Sequence, residues 1–205
     1  MNTYTLKHHR ASATLSQAGF TLIELAVTVL IITVLGAILF GKFSGSTVSA
    51  RATGLITTMQ TTAASLDRYK AELGCYPNRF DALWDRTKAN VPDNFCGMDH
   101  RPGWMEEFMK PQQVNADNPN NLMIIDDVQR GATLAIARQN GGMGRRWVLT
   151  AANIPNDIAT IAVAKCNGTD PQVAIPQAFD GNLKCIGAAN GQEMTDITMK
   201  FAETR

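Results

Sequence analysis

The chain has 205 residues, of which 45% are hydrophobic, and its 19 Lys and Arg residues oppose 18 Asp and Glu residues to give a net charge of +1. This length corresponds to one or two domains. A charge so close to zero excludes the strongly basic balance that would indicate a nucleic-acid-binding protein, so we expect no specific nucleic-acid partner.

The first forty residues contain a basic, polar stretch followed by an apolar run. Residues 7–10 (KHHR) supply the basic cluster, and residues 20–40 are almost wholly apolar, with Glu24 as the one charged residue. An ordinary secretory signal has its cleavage site after the apolar core, whereas here the small residue Gly19 stands directly before it. Cleavage after Gly19 would therefore remove a leader of residues 1–19 and keep the apolar run on the mature chain.

The apolar run has the length of a membrane-spanning helix. Its 21 residues would extend about 31 Å as an α-helix, which is enough to cross the hydrocarbon core of a bilayer. The basic leader predicts a cytoplasmic N-terminus by the positive-inside rule, with the rest of the chain facing outward. A signal anchor that tethers a soluble domain is the alternative interpretation of this pattern.

Glu24 is the one charged residue of the apolar run. A charge at the centre of a membrane helix costs about 2.5–3.5 kcal/mol, but near a helix end the side chain can reach the interface and the helix dipole favours an anion. One interpretation is therefore a tolerated carboxylate at the membrane surface. The other is that Glu24 finds a cation after the segment leaves the lipid. Cleavage after Gly19 would create such a cation, the α-amine of Phe20, which a neighbouring chain could offer.

The sequence GFTLIEL at residues 19–25, followed by an apolar helix, resembles the N-terminal motif of type IV pilins and of the related pseudopilins of type II secretion. The resemblance implies that a prepilin peptidase cuts after Gly19 and methylates the new amine of Phe20. It also implies a subunit that is held in the inner membrane, self-associates into a helical filament through the pilus assembly machinery, and then lies at the cell surface. Glu24 would help to register or neutralise the N-terminus of an adjacent subunit.

A single long helix is predicted from Phe20 to Leu73, because no proline occurs before Pro77 to interrupt it. Residues 20–45 would form its transmembrane or filament-core half, and residues 46–73 its amphipathic half. In the second half, apolar residues recur every three or four positions, the period of a helix with one buried face: Val48, Ala52, Leu55, Met59, Ala63, Leu66, Tyr69 and Leu73. The glycine-containing patch at residues 41–45 is predicted to be a hinge and the membrane boundary.

A globular head is predicted over residues 74–205, giving an α+β fold similar to that of pilins, with the long helix packed on an antiparallel sheet. Its first part, residues 74–120, is predicted as an αβ-loop that begins with Gly74 as the helix C-cap. Short helices are predicted within this loop at residues 79–87 and 103–110.

The first three strands and a second helix are predicted over residues 121–165, and a last strand follows near the end of the chain. Short β-compatible segments and a helical period give strands at 121–126, 132–138 and 146–152, a helix at 154–166 with Asn156 as a possible cap, and a last strand at 196–201. We expect the last strand beside the first or second strand. Residues 166–185 would form a disulfide-bounded region before the closing segment at 186–205.

Four cysteines follow the apolar run: Cys75, Cys96, Cys166 and Cys185. An even number of cysteines beyond a membrane segment predicts two disulfides in an oxidising compartment. A zinc site is the alternative, but the spacing of Cys75, Cys96 and His100 lacks the close ligand pairs of such a site, and we expect no metal. Three disulfide connectivities are open from the residues alone, and the resemblance to pilins favours the sequential pairing.

The expected function is that of a structural pilin subunit, which polymerises into a filament used for adhesion, motility, aggregation or DNA transfer. Phe20 resembles the first mature residue of type IVa pilins, whereas the head size, the 19-residue leader and the IPND helix that leads into a cysteine look more like type IVb, the assignment that we favour. A minor pilin or a type II secretion pseudopilin is the nearest alternative, although Asp170, Asp180 and Asp196 are too dispersed for a calcium loop.

A membrane-anchored binding protein or an enzyme is the more distant alternative. The chain contains no G-x-S-x-G, HExxH or P-loop motif, which would supply a nucleophile, a metal site or a phosphate cradle. We therefore predict that the protein is not an enzyme and requires no cofactor.

Overall fold

A computed structural model describes residues 21–90, 94–115, 122–141, 144–191 and 193–204. The chain forms two compact units, residues 1–43 and 44–205. The described residues include the helices and strands α1 (Leu22–Leu73), β1 (Met123–Ile124), β2 (Thr133–Gly141), β3 (Gly144–Pro155), α2 (Asn156–Asn167), β4 (Cys185–Ala189) and β5 (Met194–Thr204). The predicted leader lies outside the described residues.

Helix α1 includes residues 41–45, where the sequence predicts a hinge, and the helical backbone has no break there. The helix ends at Leu73. Gly74 follows with φ 86°, a left-handed conformation that glycine adopts without steric cost, and its N–H donates to the Lys70 carbonyl at 2.8 Å. This C-terminal closure turns the chain out of the helix and into the αβ-loop.

The second half of α1 buries one face in the core of the head. Six of the eight apolar positions predicted to face inward are buried, and the two outermost, Val48 and Leu73, are partly buried against the same core. Leu149 and Met199 of the sheet belong to this core with Leu66 of the helix. The helix and sheet therefore form the two layers of an α+β head, as predicted.

The five strands form one antiparallel sheet in the order β1-β2-β3-β5-β4. The antiparallel sheet is as predicted, but the expected position of the last strand was wrong and one strand was missed. Strand β5 lies between β3 and β4 rather than beside the first or second strand, and β4 itself was not predicted. β1 spans only two residues of the strand predicted at 121–126; Asn121 lies outside the described residues.

The αβ-loop is pinned by side chains rather than by helices. Two short 3-10 turns, Asp81–Leu83 and Arg86–Lys88, stand where the first loop helix was predicted. The second, at 103–110, is not helical. There Trp104 donates from Nε1 to the Ala82 carbonyl at 3.2 Å, and Phe108 is buried.

The N-terminus of α2 corrects a further expectation. Asn156 is the first helical residue and not the cap, which is Pro155. The amide oxygen of Asn156 instead accepts a hydrogen bond from the Thr195 hydroxyl at 2.7 Å. This contact ties α2 to strand β5.

Two disulfides join Cys75 to Cys96 and Cys166 to Cys185, with Cα atoms 6.3 Å and 6.0 Å apart. The second joins the last turn of α2 to the start of β4. Asn167 reinforces this junction, because its amide group donates to the Cys185 carbonyl at 2.7 Å and accepts from the Cys185 N–H at 2.9 Å. Together these contacts hold β4 at the edge of the sheet.

Candidate assembly site at the start of the first helix

The described part of this site begins at Thr21. Gly19 and Phe20, the residues of the predicted cleavage and methylation, lie outside the described residues. Glu24, the third predicted residue, is in the first turn of α1. The geometry of the site therefore concerns how Thr21 and Glu24 begin the helix.

Thr21 and Glu24 form a reciprocal pair of hydrogen bonds at the helix start. The Glu24 N–H donates to the Thr21 hydroxyl at 3.3 Å, and the Thr21 N–H donates to Glu24 Oε2 at 3.2 Å. The Thr21 hydroxyl also donates to Oε2 at 3.1 Å. This is a capping box, in which a Ser or Thr and a Glu three residues later satisfy each other's exposed N–H groups.

The capping box orients the Glu24 carboxylate. All of its hydrogen bonds to Thr21 go to Oε2, while Oε1 has no hydrogen bond among the described residues. Within that part of the chain Glu24 also has no ion pair, and the next cation, Lys42, follows 18 positions later, about 27 Å along a helix. One carboxylate oxygen is thus held by the helix, and the other is available to a cation from elsewhere.

The residues that follow present apolar side chains all around the helix. Eleven large apolar residues between 22 and 38 are exposed, from 50% at Ile31 to 87% at Leu22: Leu22, Ile23, Leu25, Val27, Val29, Leu30, Ile31, Ile32, Val34, Leu35 and Ile38. The hydroxyls of Thr28 and Thr33 donate back to the Leu25 and Leu30 carbonyls at 2.8 Å. Even the polar residues of this stretch therefore satisfy their hydrogen bonds within the helix.

Among the described residues, we find no helix that is both long enough and apolar enough to cross a bilayer.

Within the described part of the head we find neither a metal site nor a cleft lined by reactive side chains. No three His, Cys, Asp or Glu side chains converge there as a metal site would require. An apolar cleft of about 170 Å³ lies between α2 and the disulfide-bounded region, lined by residues such as Val163, Val173 and Leu183. None of its lining residues is ionisable, so the cleft offers no acid, base or nucleophile.

Thr21 is the residue of this helix start that the sequence analysis did not single out. The signal was present, because a Thr followed three residues later by a Glu, immediately before an apolar run, is the sequence pattern of a capping box. From the sequence, Glu24 is predicted to lie in the first turns of the helix, where the helix dipole favours an anion, but no partner within its own helix is predicted for it. The structure adds that the same carboxylate caps its own helix.

Comparison with known protein families gives one match. Residues 14–40 match the family model described as the prokaryotic N-terminal methylation motif. The comparisons with curated proteins and with solved structures gave no match. The matched segment contains the predicted cleavage residue, the capping box and the exposed apolar turns described above. Residues 14–40 therefore carry the prepilin signal of type IV pilins, which supports a type IV pilin-like or pseudopilin protein.

Proposed function

We propose that this protein is a structural pilin subunit, which is processed after Gly19, methylated on the amine of Phe20 and polymerised into a type IV filament. The observation that carries the proposal is the continuity of the methylation motif with a helix whose apolar side chains are exposed on every side. A helix that is apolar all around requires lipid or other apolar helices around it.

The first half of α1 would use both environments in turn. Burial of a large aliphatic side chain is worth about 1.5–3 kcal/mol, so eleven such residues cannot remain in water. Before assembly, the apolar run of residues 20–40 would hold the chain in the inner membrane, with its leader in the cytoplasm. After processing by prepilin peptidase, the assembly machinery would transfer the same surface into contact with copies of itself, and the head would reach the cell surface.

Glu24 would select the correct neighbour in this filament. Its Oε1 atom is open while Oε2 is held by Thr21, so the carboxylate can accept the α-amine of Phe20 from a second copy without giving up the capping box. Two opposite unit charges 4 Å apart attract by about 4 kcal/mol at an effective dielectric constant of 20. A neighbour in the wrong register would leave Glu24 unpaired among apolar side chains, which is strongly unfavourable.

A minor pilin or a type II secretion pseudopilin is the second candidate, because the methylation motif is common to these proteins and lies outside the head. The abundance of the chain separates the candidates. A filament-forming pilin would make up most of the protein sheared from the cell surface, whereas a minor pilin or pseudopilin would be scarce there.

The proposal is tested by comparing the native chain with Gly19→Leu and Glu24→Ala. We expect native surface material to begin with N-methylphenylalanine at position 20. The Gly19→Leu chain should keep its leader and form no filaments. The Glu24→Ala chain should be processed and inserted into the membrane normally, but should not assemble.

Glu72→Ala is the matched control, because Glu72 is an exposed carboxylate on the same helix that pairs with Arg68. It should assemble normally. Filaments that begin at Met1, or abundant filaments from Glu24→Ala, would overturn the proposal.

A further inference from the structure

His100 is a buried imidazole on the outer loop of the head. Only 4% of the residue is exposed, and its Nδ1 atom lies 3.0 Å from the hydroxyl oxygen of Tyr69 on α1. Its Nε2 atom is buried and has no hydrogen-bond partner among the described residues. The ring also packs edge-on against the Tyr69 ring, with centroids 5.6 Å apart.

The neutral ring satisfies this site only in part. If Tyr69 donates to Nδ1, the Nε2–H group is left without an acceptor, and if Nδ1–H donates to Tyr69, Nε2 is left without a donor. A protonated ring makes the mismatch larger, because both nitrogens become donors and the Tyr69 oxygen can accept from only one. The remaining charged N–H would be buried without a partner, which is costly.

The charged groups around this site are already paired with one another. Asp99 forms an ion pair with Arg101 at 2.7 Å, and Arg101 in turn accepts a hydrogen bond at its carbonyl oxygen from Arg86. On α1, Arg68 pairs with Glu72 and with Glu106 of the loop.

Burial and the neighbouring charges together shift the pKa of the His100 ring downward. Burial lowers the pKa of His100 below its usual 6.5, and the nearby Asp99 carboxylate opposes this effect only in part. The Arg101 side chain and backbone N–H hold the pKa of Asp99 at about 2, so Asp99 keeps the same charge across the physiological range. His100 is therefore the group near this contact that changes charge between neutral and mildly acidic pH.

His100 also lies at a point where its loop is attached to the rest of the head. Its N–H donates to the Ala89 carbonyl at 2.9 Å, and its carbonyl accepts from the Gly103 N–H at 3.1 Å. Further along, the Phe108 N–H donates to the Leu83 carbonyl at 2.8 Å. The His100 segment, defined as residues 97–103, thus precedes the anchors at Trp104, Glu106 and Phe108, and the imidazole contact joins it directly to α1.

We propose that the His100 segment is an acid-released flap: protonation of the His100 ring breaks its contact with Tyr69 and frees the segment from α1. Release exposes the imidazolium to water, where it is fully solvated. It also uncovers the Tyr69 hydroxyl, while the Cys75–Cys96 disulfide and the contact between Phe108 and Tyr69 keep the flanking parts of the loop attached. The head would therefore present a different outer surface at mildly acidic pH.

Proton linkage determines the direction in which pH changes the opening of the His100 segment. The open segment binds a proton to His100 at the usual pKa of 6.5, whereas the closed segment binds one only at a lower pH. As the pH falls below 6.5, the open form takes up more protons, so the opening equilibrium rises about tenfold per pH unit until the closed ring also titrates. Above 6.5 the equilibrium is independent of pH.

Hydrogen exchange of the purified full chain in detergent micelles tests this proposal. Peptides that cover the His100 segment should be compared between pH 7.5 and pH 5.0, with exchange times corrected for the intrinsic pH dependence of amide exchange. We expect opening to increase by about tenfold per pH unit below 6.5 in the native chain. Peptides from β3 and β5 should show no such change and serve as the internal control.

Two variants separate the ring charge from the hydrogen bond. His100→Gln removes the titrating group, and its segment should exchange at a rate that does not vary with pH. Tyr69→Phe removes only the hydroxyl, so its segment should open more often at every pH while keeping the native slope below 6.5.

An equal slope in the native chain and in His100→Gln would overturn the proposal, as would a native segment whose opening is independent of pH. If His100→Gln fails to fold, the native ring can be titrated by NMR instead. A ring that titrates at 6.5 or above, with unchanged protection of the His100 segment, would also overturn it. A ring that titrates below 6.5, together with increasing exchange of the segment, would support it.

Discussion

The two halves of helix α1 have the same backbone conformation but require different surroundings. Between residues 22 and 38 the large apolar side chains are exposed on every side, and no face of the helix is polar. Between residues 52 and 69 the apolar side chains lie on one face, which is buried in the head. Hydrophobic periodicity, and not helix propensity, therefore separates a helical segment that exposes apolar side chains on every side from one that buries a single face against a sheet.

The largest effect that we predict from this comparison is a loss of stability of the head when a core residue of the second half of α1 is truncated. Leu66 is fully buried, whereas Leu30 is 65% exposed. Leu66→Ala should lower the free energy of unfolding of the head by about 2–5 kcal/mol, because it removes buried methyl groups and leaves a cavity. The matched Leu30→Ala should change it by less than about 0.5 kcal/mol.

Urea unfolding followed by tryptophan fluorescence measures this difference, because Trp84, Trp104 and Trp147 all lie in the unit of residues 44–205. Equal effects of the two substitutions would contradict the division of α1 into two functional halves.

Alkaline pH should also destabilise the head, which the second half of α1 helps to form, and not the first half of the helix. Tyr69 and Tyr76 are buried there, and burial raises the pKa of both hydroxyls; the Asp67 carboxylate, which accepts from Tyr76 at 2.5 Å, raises the pKa of Tyr76 further. Above pH 10 the unfolded chain releases tyrosine protons that the folded head retains. Stability should therefore fall by about 1.4 kcal/mol per pH unit for each tyrosine.

Urea unfolding between pH 8 and pH 11 measures this slope. The double variant Tyr69→Phe/Tyr76→Phe is less stable at pH 8 but should lose most of the alkaline dependence. A slope equal to that of the native chain would show that other groups cause it.

The smallest effect that we expect is on filament assembly, when the capping box at the start of the first half of α1 is changed. Thr21→Val removes the hydroxyl of the capping box, which is worth about 1 kcal/mol at a helix N-terminus, and should reduce the assembled fraction about fivefold. Thr28→Val is the matched control, because the Thr28 hydroxyl only donates back to its own helix. Quantification of sheared filaments against total processed chain measures both, and equal losses would count against a role for the cap.

The sequence was most informative where structure depends on neighbours along the chain. The helical period of residues 48–73 predicted which side chains of α1 would be buried, and Gly74 marked the end of the helix. These features are local, because a helix places residues three and four positions apart on one face. The methylation motif is local as well.

The sequence was least informative where structure depends on distant pairing. Strand β4 has five residues, CIGAA, with no clear alternation, and it exists because β5 pairs along it and Asn167 and the Cys166–Cys185 bridge hold its first residue. Gly187 leaves no space for a side chain there, since a Cβ would meet Ile175 at 2.6 Å. Such contacts arise between segments that are far apart in sequence, and no local pattern encodes them.

Contacts between distant segments also explain why residues 103–110 are not helical and why Asn156 is not the cap of α2. Residues 103–110 have helical spacing, but Trp104 and Phe108 use it to anchor a non-helical loop to α1 and the 3-10 turns. Asn156 has the composition of a cap, yet its side chain is committed to Thr195 of β5. In both cases a tertiary contact overrides the local preference of the residues.

The central position of β5 has a consequence for the timing of folding. The strand follows every other element in the chain, yet it must insert between β3 and β4 before either can complete its hydrogen bonding. A growing or partly exported chain therefore cannot close its sheet early, and any product truncated before Met194 is left with two unpaired strand edges, the surfaces by which incomplete proteins aggregate.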